Sequence, residues 1–342
     1  SRTAGMGSYF AMLNRNKRSV VLELKHDAGR AALHRLIDGA DIVVHNMRLG
    51  AAARLGLDYP PLAARNPRLI LACATGFRKH SSLSEFPAFD DLIQGMGGLA
   101  ALNAGADGAP RYVPTVLADK LAGQVLASSI GMALFHRERT GRGQEVHVPM
   151  LETLLSFLLV EHLWGGVLDE PERGLGYPRM LTPHRRPYAT RDGFICVICL
   201  TDRQWASVLE AIGRPELVTD PRFADVRARS DNVDELYGIL ADGLRTHTTA
   251  AWLDILRRLD VPCGPVASLA DLLDSEYLRE TGFFTRATHP VEGRVVTTAI
   301  PAQFSDSPGS VRRLWPTLGE HTAEVLREIG YDDARIAEAT GG

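Results

Sequence analysis

The chain has 342 residues, 45% of them hydrophobic and 23% charged, with a formal net charge of −3. That length can bury a large core and is enough for two domains, and the slight acidity gives no electrostatic reason to expect nucleic acid or an anionic membrane as partner. No apolar run approaches the ~20 residues of a membrane helix, no apolar leader stands at the start, and four scattered cysteines make no disulfide framework, so a cytoplasmic chain without membrane attachment is expected.

In chain order, the first half alternates short apolar strands with helices. After the basic N-R-N-K-R run, Ser19–Leu24 reads as a strand, and Asp27 as the cap of a helix over Ala28–Ile37. Asp41–His45 (D-I-V-V-H) and Leu69–Ala74 (L-I-L-A-C-A) read as buried strands. Between them lie a short helix over Gly50–Leu55 and a turn at Asn66-Pro67. This alternation predicts a parallel, doubly wound α/β sheet. Pro87–Leu99 starts a helix and leaves it through glycines, and Leu151–Trp164 is a strongly apolar helix. Gly165–Pro187 is rich in Gly, Pro and Arg and reads as a linker. At Tyr188 a new unit opens with a hairpin turning at Asp192-Gly193. Helices are expected around Gln204–Ile212, Asn232–Arg245 and Thr249–Leu259, and Pro262-Cys263-Gly264-Pro265 breaks the pattern. Arg294–Ile300 is strand-like and Gly319–Ile329 reads as a terminal helix.

Between the halves, Val113–Met150 reads as loop, helix, glycine stop and strand. Small residues from Ala122 to Ala133 alternate with Leu121, Val125, Leu126, Ile130, Met132 and Leu134, so the helix is apolar on most sides and is expected to be buried. His136, Arg137 and Arg139 suit the negative end of its dipole, and Gly141 and Gly143 end it. Asp119 stands immediately before the apolar-periodic run and has two readings. One is an N-cap satisfying a backbone N–H. The other is a carboxylate nucleophile kept ionised by the helix N-terminus. Spacing leaves both open.

The run that follows the helix, R-E-R-T-G-R-G-Q-E-V from Arg137 to Val146, resembles the family III CoA-transferases, the CaiB/BaiF family that includes formyl-CoA and carnitine CoA-transferases. L-N-R-N-K-R at Leu13 and L-G-E-H-T at Leu318 fall in the family's order, so the resemblance spans essentially the whole chain. It implies a Rossmann-like doubly wound domain built from both chain ends, with a small α/β domain inserted. The corresponding boundaries are 1–165 for the large domain, 166–187 for a linker, 188–290 for the small domain and 291–342 for the return. It also implies an interlocked homodimer. Family members carry an opening βαβ unit before L-N-R-N-K-R; only twelve residues precede Leu13 here, so on the order of 30–50 residues of that pattern are expected to be absent.

The same resemblance makes Asp119 the catalytic nucleophile of a CoA transfer between two carboxylic acids, so acyl-CoA and a free acid are the expected partners. It places CoA contacts at Leu22 and Lys25 in S-V-V-L-E-L-K, at Asn46 and Met47 in V-V-H-N-M, and at Arg54 and Leu55 in A-R-L-G. Asn46 and Met47 follow a strand's C-terminal end, where nucleotides bind in such sheets, and Arg54 could pair with a phosphate bidentately. On residue type alone Asn46 could equally be a turn residue, and Lys25 and Arg54 solvated charges. Tyr9 and Phe89 match acyl-pocket positions, the alternative being core packing. Pro87 stands where some members have a lysine on CoA, so that contact is lost or replaced. Gly174-Leu175-Gly176 is too short to assign as the tetraglycine loop of oxalate-type members. No tightly bound cofactor and no metal are expected, since CoA is itself a substrate and the histidines show no ligand spacing. Cys196-x-x-Cys199 lies in a strand and is a weak redox signal.

Two other functions are weighed. The family includes α-methylacyl-CoA racemases, whose histidine base aligns with Phe89, which has no proton to move. A non-catalytic CoA-binding subunit is the alternative suggested by the missing opening unit.

Overall fold

The computed structural model describes residues 3, 6–105, 107–170, 172 and 174–342. It opens with α1 (Ser8–Leu13), α2 (Asp27–Asp38), β1 (Ile42–His45), α3 (Leu49–Arg54), α4 (Tyr59–Arg65) and β2 (Ile70–Thr75). α5 (Asp90–Met96) and α6 (Leu99–Leu102) precede the long α7 (Leu117–Thr140), followed by β3 (Glu145–Pro149) and α8 (Met150–His162). A 3-10 turn at Trp164–Leu168 and α9 (Pro178–Leu181) fall in the Gly- and Pro-rich stretch. Next come β4 (Tyr188–Ala189), β5 (Phe194–Val197), α10 (Asp202–Ala211), α11 (Val226–Asp231), α12 (Val233–Leu244), α13 (Thr249–Arg258) and β6 (Cys263–Pro265). The last part carries α14 (Leu269–Asp274), α15 (Glu276–Glu280), β7 (Phe284–His289), β8 (Gly293–Thr298), α16 (Thr322–Glu328) and α17 (Asp333–Thr340).

The chain divides into two compact units. The first combines the chain up to Pro87 with Gly123–Pro149 and Leu269–Gly342. Its parallel sheet has the order β1-β2-β3. β2 is apolar without alternation, and Ile70, Leu71, Ala72 and Cys73 are all buried, as a central parallel strand covered on both faces requires. The expected strand at Ser19–Leu24 does not form: the segment has no regular secondary structure, turns at Leu24 and joins no ladder among the described residues. Its polar groups go instead to the chain's C-terminal part. The Glu23 N–H donates to the Ala339 carbonyl (2.8 Å), and the His321 N–H to the Ser19 carbonyl (3.0 Å). Leu22 packs there against the buried Ala32, Leu326 and Ala339. Among the described residues, α14, α15 and α17 were not anticipated, nor was β7, which pairs antiparallel with β8.

The R-T-G-R-G-Q run is the joint between α7 and β3. The Arg137 guanidinium is buried and donates to Asp41 Oδ1 at 3.0 Å. Gly141 has φ +73°, a left-handed conformation that closes the helix without a Cβ penalty. The Gly143 N–H donates to the Pro67 carbonyl at 2.8 Å, and a Cβ there would sit 2.0 Å from the Leu69 carbonyl oxygen. The most recognisable run of the sequence therefore seats β3 beside β2.

The second unit combines Ala88–Ala122 with Met150–Ser268. The expected hairpin is present as β4 and β5, and Cys263–Pro265, expected only as a break, adds a third antiparallel strand. Its proline ends that short edge strand, where a missing N–H costs no ladder bond. Ile195 of β5 and Leu236, Leu240, Leu244, Trp252 and Leu256 from the amphipathic faces of α12 and α13 lie in the core, all at most 2% exposed. Thr201 and Gln204 cap α10 with a reciprocal pair of bonds.

The expectation that α7 is buried all round fails. Ala118, Ala122, Leu126, Ala133 and Arg137 form one buried stripe, whereas Met132 is 71% and Phe135 66% exposed. A helix apolar on every side gives no period from which the covered face can be read.

Candidate active site

Asp119 is the third residue of α7, not its N-cap, because the helix begins at Leu117. The Lys120 N–H reaches the Val116 carbonyl at 3.4 Å, so Val116 occupies the capping position. Its side chain cannot cap, and the first-turn donor is satisfied from elsewhere: the backbone N–H of Asp119 donates to Asp90 Oδ1 at 3.1 Å. Asp90, the first residue of α5, is buried. The Asp119 residue itself is solvent-accessible. Partial burial of its carboxyl, and then the charge of Asp90, push it above the usual carboxylate range. The helix dipole favours the ionised form; desolvation and a neighbouring like charge act in the opposite direction. Phe89, directly before Asp90, is 78% exposed. Among the described residues it is therefore no core residue, and it lies one position from the group that anchors Asp119.

In the first unit, Asn46 and Met47 follow β1 at the C-terminal edge of the parallel sheet. Asn46 is exposed, and Met47 packs against the buried cluster of Ile37, Ala52, Leu57, Leu62, Leu69 and Leu71. The same stretch continues into α3, which ends at the exposed Arg54; Leu55 is half-buried, and its carbonyl hydrogen-bonds His34 Nε2 at 2.9 Å. Of these four residues, Met47 and Leu55 pack against the same buried cluster. Leu22 and Lys25 lie on the irregular segment tied to the chain's C-terminal part. Lys25 is exposed and its N–H donates to Glu23 Oε1 at 3.0 Å. Tyr9 lies on α1 and is 54% exposed.

The sheet also carries a polar row that sequence reading did not single out. Register places Cys73 of β2 opposite both His45 of β1 and His147 of β3. His147 Nε2 hydrogen-bonds Thr75 Oγ1 at 2.7 Å, and Lys79 pairs with Glu145. Burial, then the charge of Lys79, hold His45 below the usual imidazole range, and burial pushes the Cys73 thiol up. Among the described residues, no group of three or more His, Cys, Asp or Glu side chains is arranged to hold a metal, and no helix is long and apolar enough to cross a membrane. Cys196 is exposed and Cys199 buried, with its thiol pushed up to about 12 by burial, the opposite of an activated redox pair.

The profile of CoA-transferase family III matches residues 1–322. A formyl-CoA:oxalate CoA-transferase of Bradyrhizobium sp. (strain ORS 278) is 32% identical, the alignment covering 96% of this chain and 83% of that protein. A protein of the same name from Escherichia coli O139:H28 (strain E24377A / ETEC) is 30% identical over 96% of this chain and 84% of its own length. Among solved structures, Rv3272 from M. tuberculosis (orthorhombic form) matches with a TM-score of 0.81 and 28% identity, covering 94% of this chain and 87% of that one. A CAIB/BAIF family protein from Brucella suis matches with a TM-score of 0.77 and 28% identity over 96% and 86%. The mixed α/β fold with its parallel sheet and these matches agree: the chain belongs to CoA-transferase family III, the CaiB/BaiF group of transferases.

Proposed function

We propose that the protein moves CoA from an acyl-CoA thioester to a free carboxylic acid, with Asp119 as the nucleophile. The observation that carries this reading is a solvent-accessible carboxylate in the first turn of α7, its backbone anchored by a buried acceptor. Asp119 attacks the donor thioester, forming an acyl-aspartyl anhydride and expelling the CoA thiolate. The thiolate attacks the aspartyl carbonyl, which gives an aspartyl-CoA thioester and frees the donor acid. The acceptor carboxylate then takes the aspartyl carbon and expels thiolate again. That thiolate attacks the acceptor's acyl carbon, releasing the new acyl-CoA and the Asp119 carboxylate. No net proton is moved, so no general acid is required. Backbone N–H groups are proposed to stabilise the tetrahedral oxyanions.

Leu22, Lys25, Asn46, Met47, Arg54 and Leu55 are proposed to bind CoA, and Tyr9 and Phe89 to line the acyl pocket. The relatives' names suggest formyl-CoA and oxalate as the first substrates to try. Racemisation would need two proton-transfer groups flanking one carbon, and Phe89 supplies none. The test compares two incubations. One contains formyl-CoA and oxalate; the other contains a chiral 2-methylacyl-CoA in deuterated water. CoA exchange in the first and no deuterium at the α-carbon in the second are the expected results. Multiple-turnover deuterium uptake would overturn the transferase reading.

We also propose that the large Rossmann-like domain uses both chain ends and that two copies form an interlocked homodimer. Support comes from apolar side chains left open on this chain, Met132 and Phe135 on α7 and Val160, 81% exposed, on α8; apolar surface of this kind marks interaction sites. Sedimentation at twice the 37.3 kDa chain mass, with no subunit exchange between differently tagged dimers short of unfolding, is expected. A monomer would overturn it.

A further inference from the structure

We infer that Asp90 is the positioning residue for Asp119: held by Gln94, its buried carboxylate fixes the first turn of α7 and sets the electrostatic surroundings of the nucleophile. This rests on the nucleophilic role proposed for Asp119.

Asp90 is 4% exposed and Gln94, four residues on along α5, 0%. Gln94 Nε2 donates to Asp90 Oδ2 at 2.6 Å and to the Thr115 carbonyl at 3.3 Å, and Gln94 Oε1 accepts the Val113 N–H at 2.9 Å. With the Asp119 N–H on Asp90 Oδ1 at 3.1 Å, the segment leading into α7 is fastened at three backbone points by two side chains of one helix turn. Positioning to that degree is worth orders of magnitude in a reaction between oriented groups.

The charge is the informative part. Capping a helix needs only an acceptor, and serine or asparagine would serve. Burying a carboxylate is costly, and more so without a cation; among the described residues Asp90 forms no ion pair. That cost falls beside a second carboxylate. From α5 the charged group facing Asp119 is Asp90; on its own helix the neighbouring Lys120 turns to Thr115 Oγ1 at 2.7 Å. The like charge of Asp90 adds to burial in raising the Asp119 carboxyl. A more basic carboxylate is a stronger nucleophile toward the thioester, at the cost of ionising at higher pH.

The test is the pH dependence of Asp119 acylation by formyl-CoA, read by rapid quench and mass spectrometry in the parent, Asp90→Asn and the double variant Asp90→Asn/Gln94→Glu. In Asp90→Asn the acid limb is expected to move to lower pH, because the charge that opposes ionisation of Asp119 is gone, while the plateau rate falls severalfold as the Gln94 bond is lost. The double variant guards against misfolding. There the introduced asparagine still accepts the Asp119 N–H and donates to the introduced glutamate, which accepts the Val113 N–H. The charge is one side chain further from Asp119, and the acid limb is expected between those of the parent and the single variant. An acid limb unmoved in both variants, with only the plateau lowered, would overturn the inference and leave Asp90 a structural cap. No adduct at Asp119 in the parent would be a different result, which removes the nucleophile reading and this inference together.

Discussion

Asp119→Ala is expected to leave a folded protein that binds CoA and does not transfer it. Loss of a covalent nucleophile should lower kcat by at least about three orders of magnitude, roughly 4 kcal/mol of barrier. The fold should not suffer, because what ties this turn to α5 is the backbone N–H of Asp119, which alanine keeps. A carboxyl raised above its ordinary range works the same way. Its folded state favours the protonated form, so its stabilising contribution is present at low pH and lost as pH rises through its folded value. Near neutrality the ionised group therefore opposes folding, and its removal relieves that opposition. Arg54→Ala is the counterpart: the exposed guanidinium is remote in sequence from the acyl chemistry, and loss of a phosphate contact worth about 1.5–3 kcal/mol should weaken CoA binding roughly 10- to 100-fold at low salt while Asp119 still acylates at saturation. CoA titration and single-turnover acylation on both variants would separate the two roles. More than a tenth of parental kcat in Asp119→Ala, at equal melting temperature, would end the nucleophile assignment.

What the sequence disclosed depended on whether the relevant partner was near in the chain. β1 and β2 were legible because their apolar runs are short and bounded, and the β4–β5 hairpin because Asp192-Gly193 lies between its strands. α10, α12 and α13 were legible from their periodic apolar faces. Ser19–Leu24 had the composition of a strand but no neighbour to pair with; its partners are residues some 300 positions later, at His321 and Ala339. The stop between α13 and α14 hid β6, since the proline that breaks a helix is tolerated on a sheet edge. Asp119 stood out in the sequence, but its surroundings did not: the acceptor for its N–H stands 29 positions earlier. A signal for that acceptor was present in F-D-D-L-I-Q, where Asp90 and Gln94 fall on one helix face. The family resemblance named the residues; only the fold shows that Met47 and Leu55 pack against one buried cluster, and that Leu22 is also a packing residue.

Gly143→Ala is expected to be the most destabilising conservative change in the R-T-G-R-G-Q run. Its backbone is not in the left-handed region, so the reason is room alone. The added Cβ would lie 2.0 Å from the Leu69 carbonyl oxygen, 2.5 Å from its carbon and 2.6 Å from the Arg68 oxygen. All three atoms are backbone, at the start of β2, and cannot swing away as a flexible side chain would. Relief requires the chain at Gly143 to back off, which breaks its 2.8 Å bond to the Pro67 carbonyl and strains the Leu71 N–H bond to Gln144 (3.1 Å), where β3 begins to pair. Overpacking against a rigid wall of this kind should cost about 3 kcal/mol or more, the upper end of its range. Gly95→Ala is the control: it lies in α5 with no atom within 4 Å of its added Cβ, and alanine there should gain up to about 1 kcal/mol from helix propensity. Equilibrium denaturation of both variants decides the matter. Equal midpoints would mean that the glycine of this run is not there to let β3 approach β2, and a loss confined to Gly143→Ala would assign the run its structural role independently of catalysis.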